Sequence, residues 1–303
     1  MEDKVKVLYI AGHERSGTTL LQNVFGQLDG FFAAGELRRI WDRGLIQNRH
    51  CRCGVPFHEC EVWGRILDEG FGGAELIEPH EVARLRNRIR NRHFPLALLP
   101  RSERLFRLRL GDLPQHLSKL YRAIRSSTDC KVIVESSGSP TYAHVLGMVP
   151  EIDLYLIHLV RDPRGVQYSL LKRKTQGGRR YLKHNSVKGA LAWDALNLAT
   201  ETMWRGSPHR YLRLRFEDFV REPQETVEHI LGMMQERVER FPFTDKNKVE
   251  LGPTHGVGGS PSGLDTGTVE LRLDEAWILK MKPSDKVVTT TLTWPLLLRY
   301  GYL

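Results

Sequence analysis

Gly12-His13-Glu14-Arg15-Ser16-Gly17-Thr18-Thr19 follows the apolar run Val5 to Ala11 and precedes the pattern Leu20, Leu21, Val24, Phe25, Leu28. The run reads as a buried strand, the later spacing as a helix, and the glycines between them as a tight turn. Strand, glycine turn and helix N-terminus together present backbone N–H groups at the positive end of a helix dipole, which makes a cradle for an anion. A phosphorylated ligand is the expectation. The alternative is a turn that merely ends a strand.

The spacing is that of a Walker A loop, Gly-x-x-x-x-Gly-Lys-Ser/Thr, with Thr18 in the lysine position. That lysine serves the β/γ-phosphates of a nucleoside triphosphate, so its absence argues against ATP or GTP hydrolysis. The positive charge stands instead at Arg15, whose guanidinium can fork onto phosphate or sulfate oxygens without a γ-phosphate.

A chain of 303 residues can bury a sizeable core. It has no linker-like stretch or internal repeat, so residues 1–303 read as a single domain with a helical insertion at about 40–128. The net charge of +9 suits an anionic ligand. Much of the excess lies between Arg84 and Arg109, where nine arginines face one acid, Glu103. That segment is either a solvated helix face or a basic surface for an anionic or membrane-associated acceptor. Nucleic acid is not expected, because this arginine run lacks interleaved stacking aromatics and no base-reading module is recognisable. The start, Met1-Glu2-Asp3-Lys4, has no apolar signal segment, and no run is long enough to span a membrane, so a cytoplasmic protein is expected.

Strand patterns recur after the insertion. Lys131 to Glu135 is β-rich, and Ser136 to Pro140 reads as a turn and helix start. Leu154 to Val160 is an apolar run interrupted only by His158, as in strands buried on both faces of a parallel sheet. Asp162 then stands as N-cap and Pro163 at the first helical position. Tyr211 to Phe216 is another strand, and Glu222-Pro223 opens another helix. The fold class is therefore α/β: a P-loop-like three-layer α/β/α arrangement with a mainly parallel central sheet, whose ligand sits beyond the carboxyl ends of the strands. Arg15 and Arg161 both fall at such ends.

With these segments placed, the chain resembles sulfotransferases that use 3′-phosphoadenosine 5′-phosphosulfate (PAPS), in the branch of the protein-tyrosine and many bacterial sulfotransferases. Arg15-Ser16-Gly17-Thr18-Thr19-Leu20 is similar to the loop that binds the 5′-phosphosulfate. Val160-Arg161-Asp162-Pro163-Arg164, with Ser169 eight residues after Arg161, is similar to the element that binds the 3′-phosphate. Gly35-Glu36, Cys51-x-Cys53-Gly54 with Cys60 and Trp63, Arg215-Phe216-Glu217-Asp218 and the ending Leu292 to Leu303 extend the likeness over nearly the whole chain. Two positions depart from it. Gly138 stands where relatives carry a lysine after Asp-Ser-Ser. Near Gly258-Gly259-Ser260-Pro261, Ser260 and Gly263 stand where relatives carry asparagine and arginine. Lys172, Arg173 and Arg272 are candidates to replace the missing cations.

The resemblance implies sulfuryl transfer from PAPS to a hydroxyl by in-line displacement, leaving 3′-phosphoadenosine 5′-phosphate (PAP), with no metal required. Arg15 and the backbone of Gly17, Thr18 and Thr19 are expected to bind the phosphosulfate, with the hydroxyls of Ser16, Thr18 and Thr19 as further donors. Arg161 and Ser169 are expected at the 3′-phosphate. Glu36, 21 residues after Arg15, occupies the place of the catalytic glutamate of tyrosine-sulfating relatives and is the candidate general base. Its alternative role is to cap the following helix, and His13 is the second candidate base. Ser136 and Ser137 either bond donor or acceptor or shape a turn. Glu14 is expected to point away from the anion or pair with an arginine. Trp193 and Phe216 either pack in the core or lie near the adenine.

Cys51, Cys53 and Cys60, with His50 and His58 beside them, raise the question of a zinc site. The spacing is not a Cys-x-x-Cys pair, ordinary thiols are the first reading, and no metal is expected. The insertion and the segment Thr175 to Lys188 are expected to shape the acceptor pocket, for a carbohydrate, lipid, natural product or tyrosine. Two other functions are consistent with the loop: a nucleotide or sugar kinase, and a catalytically silent PAP-binding module.

Overall fold

The computed structural model describes residues 4–97, 102–172, 185–207, 209–259 and 266–303. Five strands form one sheet: β1 (Val5–Ala11), β2 (Phe31–Gly35), β3 (Val132–Gly138), β4 (Ile152–Val160) and β5 (Tyr211–Arg215). Their order is β2-β3-β1-β4-β5, and every pairing is parallel. Parallel neighbours need long crossovers, which the intervening helices supply.

Alternation along β1 divides the core between the two faces of the sheet. Val5, Val7, Tyr9 and Ala11 pack with Trp41, Trp63 and Leu117 of the insertion. Leu8 and Ile10 pack with Leu21, Val24 and Phe25 of helix α1 (Thr18–Phe25), and with Phe219 and Ile230. Val7 through Ala11 are fully buried, and each large apolar side chain so placed contributes roughly 1.5–3 kcal/mol. β1 is thus the centre of a three-layer α/β/α fold.

The insertion is built as its sequence predicts, from a π-helical turn at Ile40–Ile46 and helices that include Glu61–Phe71, Pro79–Asn87 and Leu113–Thr128. Its arginine run divides. Arg84, Arg88, Arg90, Arg104, Arg107 and Arg109 are exposed, whereas Arg86 is buried and pairs with Asp42 at 3.3 Å.

One local reading is corrected. Ser136, Ser137 and Gly138 continue β3 instead of turning, and the next helix, Pro140–Gly147, is capped by Ser139, whose Oγ accepts from the Tyr142 N–H. The polar composition that suggests a turn belongs to a strand end that has emerged from the core into a cleft. A second sheet closes the chain's later part: β6 (Phe243–Asp245), β7 (Lys248–Leu251) and β8 (Gly267–Glu270), all antiparallel. No helix among the described residues is long and apolar enough to cross a membrane.

Candidate functional site

In this strand order the crossover from β1 runs toward β2 on one side, and the crossover from β4 runs toward β5 on the other. The crevice between the carboxyl ends of β1 and β4 is therefore the topological switch point, the usual ligand position in such sheets. A cleft of about 270 Å³ opens there, lined by Gly12, Arg15, Gly17 to Thr19, Glu36, Arg43, Ser136 to Gly138, Arg161 and Phe216 among others.

The loop after β1 is held in a conformation few residues accept. Arg15 has φ 71° and Gly17 has φ 91°, and the Gly17 carbonyl starts α1 by accepting from Leu21 N–H at 3.1 Å. A Cβ on Gly17 would stand 2.3 Å from the Phe216 ring, so only glycine lets that ring support the loop. A left-handed arginine is a strained position of the kind that functional loops store.

The second motif meets the first through hydrogen bonds. Pro163–Lys172 is a helix whose Asp162 cap accepts from Arg164 N–H at 2.8 Å, as its sequence predicts. This sets Arg161 at the crevice, where it donates to the Arg15 carbonyl at 2.9 Å and lies over the Phe216 ring at 5.0 Å. Arg15 Nε in turn donates to Ser169 Oγ at 2.9 Å. Burial lowers the Arg161 pKa, with Glu217 and Asp274 acting in the opposite direction. Behind it, Trp193 Nε1–H donates to the Arg161 carbonyl at 3.1 Å and is fully buried, so Trp193 is core and positions the arginine's backbone. Phe216 lines the cleft while bracing the loop. A second cleft of about 190 Å³, lined by Asp274, Trp277 and Tyr302, meets the first at Arg161.

Glu36 follows β2 directly. Its side chain does not cap the short helix after it; the carboxylate accepts from Arg43 Nη1 at 3.2 Å and stands 4.0 Å from Arg39 Nε. Glu36 N–H donates to the Val257 carbonyl at 2.6 Å, which ties this turn to the loop carrying Gly258 and Gly259. His13 also lines the cleft, but its Nδ1 lies 3.0 Å from the Glu14 carbonyl and must carry the proton there, so the ring builds the loop. Burial lowers its pKa. Glu14 is exposed at the cleft rim.

Thr18 and Thr19 line the cleft. Ser16 is buried and does not line the cleft, and its hydroxyl has no hydrogen-bond partner among the described residues. Ser136 Oγ donates to Gln22, and Ser137 Oγ accepts from Arg38 N–H at 3.1 Å while donating to Glu135. Glu135 is fully buried, and desolvation pushes its pKa up to about 8.

The departures acquire reasons. Gly138 has φ 71°, and a Cβ there would stand 2.8 Å from the Gly12 carbonyl, which excludes a lysine in this backbone. Arg272 pairs with Glu270 on the second sheet and does not line the cleft. The cations beside Glu36 are instead Arg39, Arg43 and the buried Arg52, whose Nη2 donates to the Gly258 carbonyl at 2.9 Å. None belongs to a motif of its own, although Arg52 lies inside Cys51-x-Cys53. Ser260, Gly263, Arg173 and residues 175–184 lie outside the described residues, as does the Lys172 side chain.

The chain is similar in fold to the sulfotransferase domain of the Synechococcus PCC 7002 olefin synthase, with a TM-score of 0.55 and 16% identity over 98% of this chain and 96% of that one. It is likewise similar to the sulfotransferase domain from the curacin biosynthetic pathway, with a TM-score of 0.51 and 16% identity over 96% of this chain and 99% of that one. No curated protein matches it. The model of the sulfotransferase family matches residues 8–240, a span that includes the loop after β1, Glu36 and the Arg161 to Ser169 helix, and the chain therefore belongs to the sulfotransferase family.

Proposed function

We propose that the protein transfers the sulfuryl group of PAPS to a hydroxyl of an acceptor, with Arg15 and Arg161 binding the donor and Glu36 acting as general base. The observation that carries this reading is the assembly of Arg15, Arg161 and Ser169 into one hydrogen-bonded unit at the mouth of the switch-point crevice. A loop with a glycine pressed against Phe216 and two arginines in one crevice fits a ligand with two separate anionic groups.

When bound, PAPS supplies a sulfuryl group on an activated phosphosulfate anhydride. Arg15 and the N–H groups of Gly17, Thr18 and Thr19 then face the oxygens on which charge develops, at the positive end of α1. Arg161, where the two clefts meet, holds the 3′-phosphate and so selects against nucleotides that lack it, with Ser169 completing the site through Arg15. Glu36 takes the proton from the acceptor hydroxyl, and Arg43 fixes the orientation of its carboxylate. Little covalent work falls to the protein, and the acceleration comes from in-line positioning and charge stabilisation.

The acceptor is a carbohydrate, a lipid head group, a natural product or a tyrosine. The test is transfer of a radiolabelled sulfuryl group from PAPS to a panel of these hydroxyl compounds, with ATP as the competing donor. Labelled product with PAPS supports the reading. Phosphorylated product with ATP, or PAP binding without transfer to any acceptor, contradicts it.

A further inference from the structure

Cys51, Cys53 and Cys60 come together with His255, which is 195 residues from Cys60 in sequence, so that one ligand atom from each lies within 4.8 Å of the others. Cys53 Sγ and Cys60 Sγ are 3.7 Å apart, Cys60 Sγ and His255 Nδ1 3.3 Å, and Cys51 Sγ and His255 Nδ1 4.0 Å. We propose that these four side chains form a structural zinc site of the Cys3His type.

Three features point to a metal. Tetrahedral zinc with Zn–S near 2.3 Å and Zn–N near 2.0–2.1 Å sets S···S edges of about 3.8 Å and S···N edges of about 3.5 Å, close to the separations found. The four groups are also built to converge. Gly54, at φ 99°, closes a tight turn by donating to the Cys51 carbonyl at 3.0 Å. Cys60 stands at the N-terminus of helix Glu61–Phe71, where the dipole favours a thiolate. His255 is held through its carbonyl by Trp63 Nε1–H at 2.6 Å, an outer contact that fixes the ligand's backbone. Finally, zinc with three thiolates and a neutral imidazole carries one net negative charge, and the buried Arg52, which stands between Cys51 and Cys53 in sequence and interacts electrostatically with Cys51, supplies a positive charge nearby.

Binding releases the three thiol protons and ties the 51–60 turn to the loop that starts at His255. That loop reaches the cleft at Gly259: Val257 bridges Gly35, Gly258 lies beside Glu36 and Arg43, and Gly259 beside Thr19. The metal therefore acts as a staple at a distance from the chemistry, on residues that Glu36 depends on for its place.

The test is metal analysis of the full chain, produced in zinc-supplemented medium with its affinity tag removed and kept under reducing conditions. One equivalent of zinc is expected, retained through gel filtration in a mild chelator and released when a mercurial thiol reagent titrates the cysteines. Cys53→Ser and His255→Ala each lose the metal, whereas Cys130→Ser, outside the cluster, retains it. Should those variants fold poorly, cobalt titration of the wild-type apo chain gives an independent reading: thiolate-to-cobalt charge transfer with tetrahedral visible bands is expected. Absence of bound zinc together with a cobalt spectrum lacking thiolate ligation would overturn the site. So would a Cys53–Cys60 disulfide in the freshly isolated protein.

Discussion

Replacing Arg161 with alanine separates the two halves of the donor site. The guanidinium donates to the Arg15 carbonyl at 2.9 Å and lies over the Phe216 ring at 5.0 Å, and in the proposed complex it bonds the 3′-phosphate. A charge-assisted hydrogen bond contributes about 1.5–3 kcal/mol, so Arg161→Ala is expected to weaken PAP binding by about 10- to 150-fold. AMP, which lacks the 3′-phosphate, provides the control. Its affinity should fall by less than that of PAP, because Arg161 touches the 5′ side of the site only through the Arg15 carbonyl. Arg161→Lys keeps the charge without the planar fork and should fall between. The assay is calorimetric titration of each variant with PAP and AMP, with circular dichroism as the check on folding. Equal losses for both nucleotides in a folded variant would refute the assignment of Arg161 to the 3′-phosphate.

Glu36→Gln is expected to leave PAP binding within about twofold while lowering turnover by about 10²- to 10⁴-fold, the usual contribution of a general base; normal turnover would remove Glu36 from the mechanism. Gly138→Ala places a Cβ against the Gly12 carbonyl in a left-handed backbone and should destabilise the chain by about 1–3 kcal/mol, read by denaturant unfolding; an unchanged midpoint would show that the Gly12 loop yields freely. Stability should also depend on pH through two buried groups. Glu135, with its pKa raised from 4.5 to about 8 by burial, stays protonated in the fold while the unfolded chain ionises, so its contribution falls between those values as pH rises. His158, lowered from 6.5 to about 4 by burial, contributes the opposite slope at lower pH, so the two oppose one another from about pH 4.5 to 6.5, a window in which Asp194, raised to about 6, and His13, lowered by burial, also act. Above that window only Glu135 acts, and stability should fall by about 2 kcal/mol up to pH 8. Glu135→Gln should abolish that fall, and its persistence in the variant would place its origin elsewhere.

The central sheet is legible because its inner strands are mostly buried: Val5 to Ala11 and Leu154 to Val160 are apolar runs interrupted only by Lys6 and His158, which no exposed segment would keep. The two anion motifs are legible for a related reason, since each combines a strand end with a helix start. Ser136 to Gly138 mislead because residues that leave the core while still paired in a strand are polar, and polarity is also the mark of a turn. β6, β7 and β8 have three or four residues each, too few for a period to show. Arg43, Arg52 and His255 escape notice for a different reason. Each earns its place from partners that only folding brings near: His255 meets its sulfurs across nearly 200 residues, and Arg52 reaches a carbonyl of the loop that His255 begins. Local pattern contains no record of such meetings.

The most direct test of donor use is calorimetric titration of the purified protein with PAP, with ATP and AMP titrated alongside. Binding of the bisphosphate well above that of either competitor is the predicted result, since both lack a 3′-phosphate and Arg161 and Arg15 together match two separate anionic groups. Preference for ATP, or absence of binding by any of the three, would contradict the donor site on which the proposed sulfuryl transfer rests.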